Sequence, residues 1–324
     1  MMYIYFAIGF FSFAIFFFAS TLFKYLSILD KPDGIRKTHK GEIPLSGGIS
    51  LYFSFTISIF LLESEFIHFF TESSVAYKVF LISLIPLFLG LWDDIRPLPT
   101  SIRLIFQILA SWLVIITTDV YLTDLGDLLG FGNIYLGSLG IPLTIFMVVG
   151  VCNAFNMLDG MDGLVGIVFL VLSLSISFLS YFNNSSSIFF FVSLITIIFL
   201  IFNLGLFGRK RKIFLGDSGS TWIGFTVAWF LIILSQGEEK LFEPVSALWF
   251  ILLPLIDALS TFLNRLWNKK SIFQADRTHI HHKLLDANLS KIQILLLFLF
   301  ISILSSILGI YGNLNEVPTT RQFY

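Results

Sequence analysis

The chain has 324 residues, of which 56% are hydrophobic and 13% charged, and its net charge is −1; a soluble domain carries roughly 25% charged residues. Its 39 phenylalanines, in runs such as Phe16-Phe17-Phe18 and Phe189-Phe190-Phe191, exceed what a single soluble core can bury, so water is excluded as the main solvent and a bilayer is expected. The total charge identifies no partner, because its distribution among loops carries the information.

Ten stretches are apolar enough and about long enough to span a membrane: 2–23, 46–63, 75–92, 102–120, 140–158, 164–182, 187–207, 219–236, 245–263 and 292–311. The first is expected to be a retained span and not a signal peptide, since Lys24 and the next positive charges follow the apolar run. The third is short, with Lys78 snorkelling at one end and Asp93 marking the other. The fifth is expected to start near Pro142, because Gly126, Gly130, Gly132, Gly137 and Gly140 read as a loop. Lone Cys152 falls within this fifth stretch and can form no intrachain disulfide. The expected fold is an all-α polytopic membrane protein forming one domain over residues 1–324.

Seventeen of the twenty Lys and Arg residues fall in 24–45, 93–103, 208–218 and 264–291. Positive loops favour the cytoplasm, so these four share that face and both termini are expected outside. No internal repeat is evident, which argues against a transporter built from duplicated halves.

The acids then follow in order. Asp93 and Asp94 close the third stretch, Asp159 and Asp162 close the fifth, and Asp217 opens the eighth, so all five reach the basic face. Neighbouring ionised carboxylates repel, which favours a cation between them or a raised pKa on one; a solvated helix end is the plain alternative. Asn153, Asn156, Asp159 and Asp162 recur every third residue and form a polar stripe. Oxygen donors on such a stripe suit Mg²⁺, which keeps positions open for water and substrate phosphates; hydrogen bonding between helices is the competing use.

Gly216-Asp217-Ser218-Gly219 follows the basic run Arg209 to Lys212 and precedes a helix. Backbone N–H groups can approach an anion there while the carboxylate holds a metal, although an ordinary turn and cap has the same composition. Arg277, His279, His281 and His282 cluster in the last basic loop. With no cysteine or local carboxylate to close a transition-metal shell, binding of phosphate oxygens is preferred. Asp257 is the deepest acid, expected to pair with a neighbour and kept as a site candidate.

Ile43-Pro44-Leu45-Ser46-Gly47-Gly48, Asp93-Asp94, Asn153 through Gly163, Phe214-Leu215-Gly216-Asp217-Ser218-Gly219-Ser220 and His279-Ile280-His281-His282 together resemble the motifs of the polyprenyl-phosphate N-acetylhexosamine-1-phosphate transferases. The order matches from about Asp30 to Asn288, and the histidine segment is similar to the WecA-type branch and departs from the triple histidine of the MraY branch. The resemblance implies a multi-pass enzyme of the bacterial cytoplasmic membrane. It would exchange UMP on UDP-GlcNAc, or a related UDP-N-acetylhexosamine, for undecaprenyl phosphate, with Mg²⁺ (or Mn²⁺) as cation. The product would be the first lipid-linked sugar of a cell-envelope polysaccharide.

By the same resemblance Asp217 and Asn156 hold the metal, and Asp93, Asp94, Asp159 and Asp162 are catalytic, with Asp94 a base for the lipid phosphate. Phe214 stacks on uracil, and Asn153, Lys40, Arg103, Arg277, His279, His281 and His282 contact substrate. Membrane lipid is an expected partner, a homodimer is a compatible assembly, and nucleic acid is not expected. Chains of this type usually carry an eleventh span, where this sequence reads ten before Tyr324. The competing readings are an MraY-like phospho-MurNAc-pentapeptide transferase, a carboxylate-driven transporter and an intramembrane aspartyl protease; the last two require acids near mid-membrane.

Overall fold

The computed structural model describes residues 2–32, 41–62, 74–183, 188–238, 240–269, 279–315 and 317–323. Its helices are α1 Met2–Tyr25, α2 Gly47–Leu61, α3 Ser74–Ile82, α4 Leu84–Ile95, α5 Thr100–Thr118, α6 Gly140–Leu158 and α7 Leu164–Phe182. They continue as α8 Phe189–Asn203, α9 Gly216–Ser235, α10 Pro244–Phe250, α11 Leu252–Trp267, α12 Ile280–Asp286, α13 Lys291–Leu314 and α14 Thr319–Phe323. Two short strands, β1 Leu29–Asp30 and β2 Ile43–Pro44, pair antiparallel with Leu29 opposite Pro44.

Seven segments are long and apolar enough to cross a membrane, and an eighth is added if the bent pair α10–α11 counts as one span. The protein is therefore an all-α polytopic membrane protein. Helices α2 and α8 have 15 residues each, about 22 Å at 1.5 Å per residue, short of a hydrocarbon core of roughly 30 Å.

The expected ninth span, 245–263, is not one rod: α10 and α11 meet at Ile251 with a bend of 81°. Pro254 explains the break, since it has no N–H for the carbonyl of residue 250 and its ring clashes there, yet it is tolerated in the first turn of a new helix. Pro86 stands four residues after Ile82 and interrupts the third stretch at Ser83 in the same way, though Val75–Ile95 still qualifies as a single span.

Helix α9 is the axis of the bundle. Trp222, Ile223, Phe225, Trp229 and Ile232 bury its whole circumference, and α2, α4 and α6 pack around it, as expected of a helix that is apolar on every side. The outer helices α1, α5 and α13 instead expose Phe6, Phe10, Phe18, Trp112 and Phe300, which is stable only against lipid. In α7 and α8 buried hydroxyls are satisfied locally: Ser173, Ser180, Ser193 and Thr196 each donate to the carbonyl four residues back. Ser290 and Gln293 form a reciprocal capping box that starts α13.

Two glycines let neighbouring backbones reach the first turn of α9. A Cβ on Gly90 of α4 would lie 2.4 Å from the Asp217 carbonyl oxygen, and one on Gly48 of α2 would lie 2.3 Å from the Gly219 nitrogen. Gly90→Ala is therefore expected to destabilise the protein by roughly 1–3 kcal/mol through overpacking. Thermal unfolding of the purified protein in detergent checks this, and an unchanged Tm would show that the contact relaxes freely.

Candidate active site

The site forms where α4, α6 and α9 end together. The Asp217 and Ser218 N–H groups, in the first turn of α9, donate to Asp94 Oδ1 at 2.8 Å and Oδ2 at 3.1 Å. Asp94 thus supplies from α4 the acceptors that the start of α9 lacks within its own helix. Gly216 has φ +79°, and a Cβ there would sit 2.6 Å from Asp94 Oδ2, so both conformation and space require glycine.

From α6, the Asn156 amide donates to Asp217 Oδ1 at 2.6 Å and to Ser220 Oγ at 3.0 Å. Both of its N–H groups are engaged, and its Oδ1 remains as an acceptor. Asp159 follows directly as the C-cap of α6. Burial raises its carboxyl well above the ordinary range, and the charges of Asp217, Asp94 and Asp162 raise it further.

The outer acids differ from these. Asp93 accepts from Arg103 Nη1 at 2.8 Å and from the Leu98 N–H at 2.6 Å, so it ties the turn between α4 and α5. Asp162 pairs with Lys212 Nζ at 2.6 Å, and the same ammonium lies 5.3 Å from the Phe214 ring centroid. Among the described residues no ion pair reaches Asp94, Asp159 or Asp217. Among the described residues no group of three or more His, Cys, Asp or Glu is placed to hold a metal ion, so a divalent ion here would rest on one or two carboxylates and the amide oxygen, the pattern that suits Mg²⁺.

The Phe214 segment is laced to the strand region. Its N–H donates to the Pro44 carbonyl at 2.9 Å, and the Gly47 and Gly48 N–H groups donate back to Phe214 and Leu215 at 2.9 and 3.0 Å. Asn203, at the end of α8, accepts from the Gly163 N–H at 2.7 Å and donates to the Ile213 carbonyl at 3.0 Å. It joins the Asp159–Gly163 turn to the basic segment. Sequence reading missed this residue, whose only signal is a lone amide closing an apolar helix.

Asn153 does not face the carboxylates through its amide. It donates to Gln107 Oε1 at 3.1 Å and to the Val149 carbonyl at 2.7 Å, and thereby links α6 to α5. Arg103, expected on phosphate, is engaged with Asp93. Lys40 and Arg277 lie outside the described residues.

The histidine segment docks against the acidic turn. The His279 ring meets Asp257 Oδ2 through Nδ1 at 2.9 Å and stacks nearly parallel on His281, with centroids 5.8 Å apart. Sequence reading found no carboxylate near these histidines; the fold brings Asp257 to them from α11. His281 is 1% exposed, neither ring nitrogen has a partner among the described residues, and its Nε2 occupies the space that a Cβ on Gly160 would need.

These features define an integral membrane protein with a carboxylate-rich polar site at one end of its helix bundle. The profile of the family described as glycosyl transferase family 4 matches residues 76–235. Undecaprenyl-phosphate alpha-N-acetylglucosaminyl 1-phosphate transferase of Yersinia pestis is 34% identical over 297 residues, covering 90% of this chain and 79% of that protein. The proteins of the same name from Haemophilus influenzae and Escherichia coli K12 are 35% and 34% identical, covering 92% and 90% of this chain and 83% and 77% of their own lengths. The chain belongs to glycosyl transferase family 4, and it is an enzyme of the phospho-sugar transferase kind.

Burial, and next the charge of His282, lower the His281 pKa from 6.5 to about 4. The unfolded chain therefore binds more protons between those values, and stability is lost as pH falls from 6.5 towards 4. The full window amounts to roughly 3 kcal/mol. Tm measured against pH should show this acid-side loss in the wild type and a shallower one in His281→Gln; parallel curves would remove the assignment.

Proposed function

We propose that this enzyme transfers N-acetylglucosamine 1-phosphate from UDP-N-acetylglucosamine to undecaprenyl phosphate, releasing UMP. The observation that carries the reading is the meeting of Asp94, Asp159, Asp217 and Asn156 at one point with no paired cation among the described residues. Relatives bearing the name of that activity match nine-tenths of the chain and support the choice of donor and acceptor. The whole chain acts as one domain in the bacterial cytoplasmic membrane, with ten crossings, both termini outside and the site facing the cytoplasm. The support is the alternation of basic loops, with Arg103 and Arg209 to Lys212 on the side of the carboxylates. Surrounding lipid delivers the polyprenyl acceptor, and the product primes a cell-envelope polysaccharide.

Asp217 and Asn156 would hold Mg²⁺, with Mn²⁺ as a substitute, and Asp159 lies beside them. When bound, the ion neutralises charge that develops on the diphosphate. The chain's own groups do the rest. Phe214, half-buried beside Lys212, offers a flat face for uracil. Lys212 and Arg103, each held by an outer acid, add positive potential without losing their place. His279, His281 and His282, on the segment that packs against Gly160, would contact the sugar diphosphate.

A lipid phosphate oxygen attacks the sugar-linked phosphorus in line. The bond from that phosphorus to the bridging oxygen breaks, and UMP leaves with the electron pair. Both Asp94 oxygens accept α9 amides, and Asp93 is bound to Arg103 and Leu98. Neither carboxylate is free to swing onto phosphorus, which supports direct transfer over an aspartyl intermediate.

Purified protein in lipid nanodiscs should release UMP from UDP-N-acetylglucosamine only when undecaprenyl phosphate and Mg²⁺ are both present. Asp217→Asn should lower kcat on the order of a hundredfold or more while leaving membrane insertion intact. Preference for UDP-MurNAc-pentapeptide or UDP-GalNAc over UDP-N-acetylglucosamine would overturn the donor. Absence of UMP release under all conditions would overturn the transferase.

A further inference from the structure

Helix α11 carries a carboxylate whose setting no step of the proposed transfer uses. Asp257 is 0% exposed, and its carboxylate finds its partners on the segment that starts α12. Oδ1 accepts the Ile280 N–H at 2.7 Å, and Oδ2 faces His279 Nδ1 at 2.9 Å. Thr261, one turn further along α11, brings its Oγ1 to 3.4 Å from the same ring nitrogen. An acid enclosed this completely in a membrane protein is costly unless paired and marks a constrained place.

The geometry fixes which histidine nitrogen carries the proton. A carboxylate only accepts, so Nδ1 must donate to Asp257, and the opposite edge of the ring, with Nε2, is the one left for substrate. The neighbouring amide makes the arrangement rigid. Asp257 holds the first N–H of α12 and the first imidazole with two different oxygens, so neither the ring nor the backbone beneath it can rotate without exposing a buried charge.

That anchor reaches the acidic turn. His279 and His281 are stacked within 4° of parallel, and His281 fills the space that a side chain at residue 160 would occupy. The contacts run from Asp257 through His279 and His281 to Gly160, between Asp159 and Met161. Asp257 itself stands six residues beyond the 81° break at Ile251. The bend therefore turns into the site a helix that an unbroken span would have carried straight on.

We propose that Asp257 is a positioning residue: it holds His279 as the Nδ1–H form with Nε2 presented to the sugar diphosphate, and through that contact seats the histidine segment on the Asp159–Gly163 turn. This rests on the transferase reading for the identity of the ligand, while the tautomer is a property of the protein alone.

The test uses the full-length protein and two independent readouts. In the first, ring ¹⁵N shifts of histidine-labelled wild type are recorded, with the His279 signals assigned by their loss in His279→Gln. A protonated Nδ1 is expected, and a neutral Nε2–H ring overturns the proposal whatever the catalytic activity. In the second, UMP release is measured for Asp257→Asn, His279→Gln and the double variant. Asp257→Asn should raise the KM for UDP-N-acetylglucosamine or lower kcat/KM by roughly tenfold to a hundredfold, the range typical when the partner orienting a functional histidine is removed.

The same substitution should then have almost no further effect in the His279→Gln background, because a residue that acts through another cannot be lost twice. Additive losses would mean that Asp257 works independently of His279, and the proposal fails. If the Asp257 variant does not fold, the wild-type tautomer still decides the matter. If the wild type releases no UMP, the transferase reading fails, and the ring shifts still test the anchor.

Discussion

The architecture turns on how the N-terminus of a buried helix is satisfied. The first amides of α9 emerge among apolar helices where water is scarce, and an unpaired N–H there costs several kcal/mol. Asp94 answers this from another helix, with one oxygen for Asp217 and one for Ser218. Because the partners are backbone atoms, the cap also sets the register of α4 against α9. The glycines at 90 and 216 are what that proximity demands.

Once α4 and α9 are locked, the charge distribution follows. Asp217 starts α9, Asp159 ends α6, and Asn156 one turn earlier reaches Asp217. The outer acids have basic partners, Arg103 for Asp93 and Lys212 for Asp162, whereas the inner three repel one another. A fold does not gain stability from such a cluster, and groups perturbed in this way collect at functional sites. The outer acids hold the positive groups at the edge and keep them from collapsing into the centre.

The helix breaks serve the same end. Prolines 86 and 254 interrupt two apolar stretches where the missing N–H is tolerated in the first turn of the following helix. The second break changes direction by 81° and allows α11 to hold the histidine segment beneath the acidic turn. Asn203 does the corresponding work on the other flank, bridging Gly163 and Ile213. The site is thus framed by polar atoms at helix ends, which are the places in a membrane bundle where backbone groups are free to be bonded.

The lipid-soluble character, the approximate positions of most apolar helices and the gathering of Asp93, Asp94, Asp159, Asp162 and Asp217 on one face were legible in the amino-acid order, whereas the breaks at Ser83 and Ile251 were not. Hydrophobicity over some twenty residues and the charge of the loops are local quantities that need no contact information. The roles within the gathering were not legible. Asp93 and Asp94 are identical neighbours, yet one binds Arg103 and the other caps a helix more than a hundred residues away. Asn153 and Asn156 share a stripe, yet one faces Gln107 and the other Asp217. Asp257 and His279 are 22 residues apart with no periodicity to join them. A hydrogen bond depends on distances of a few ångströms between distant segments, and only the packing of the helices decides those.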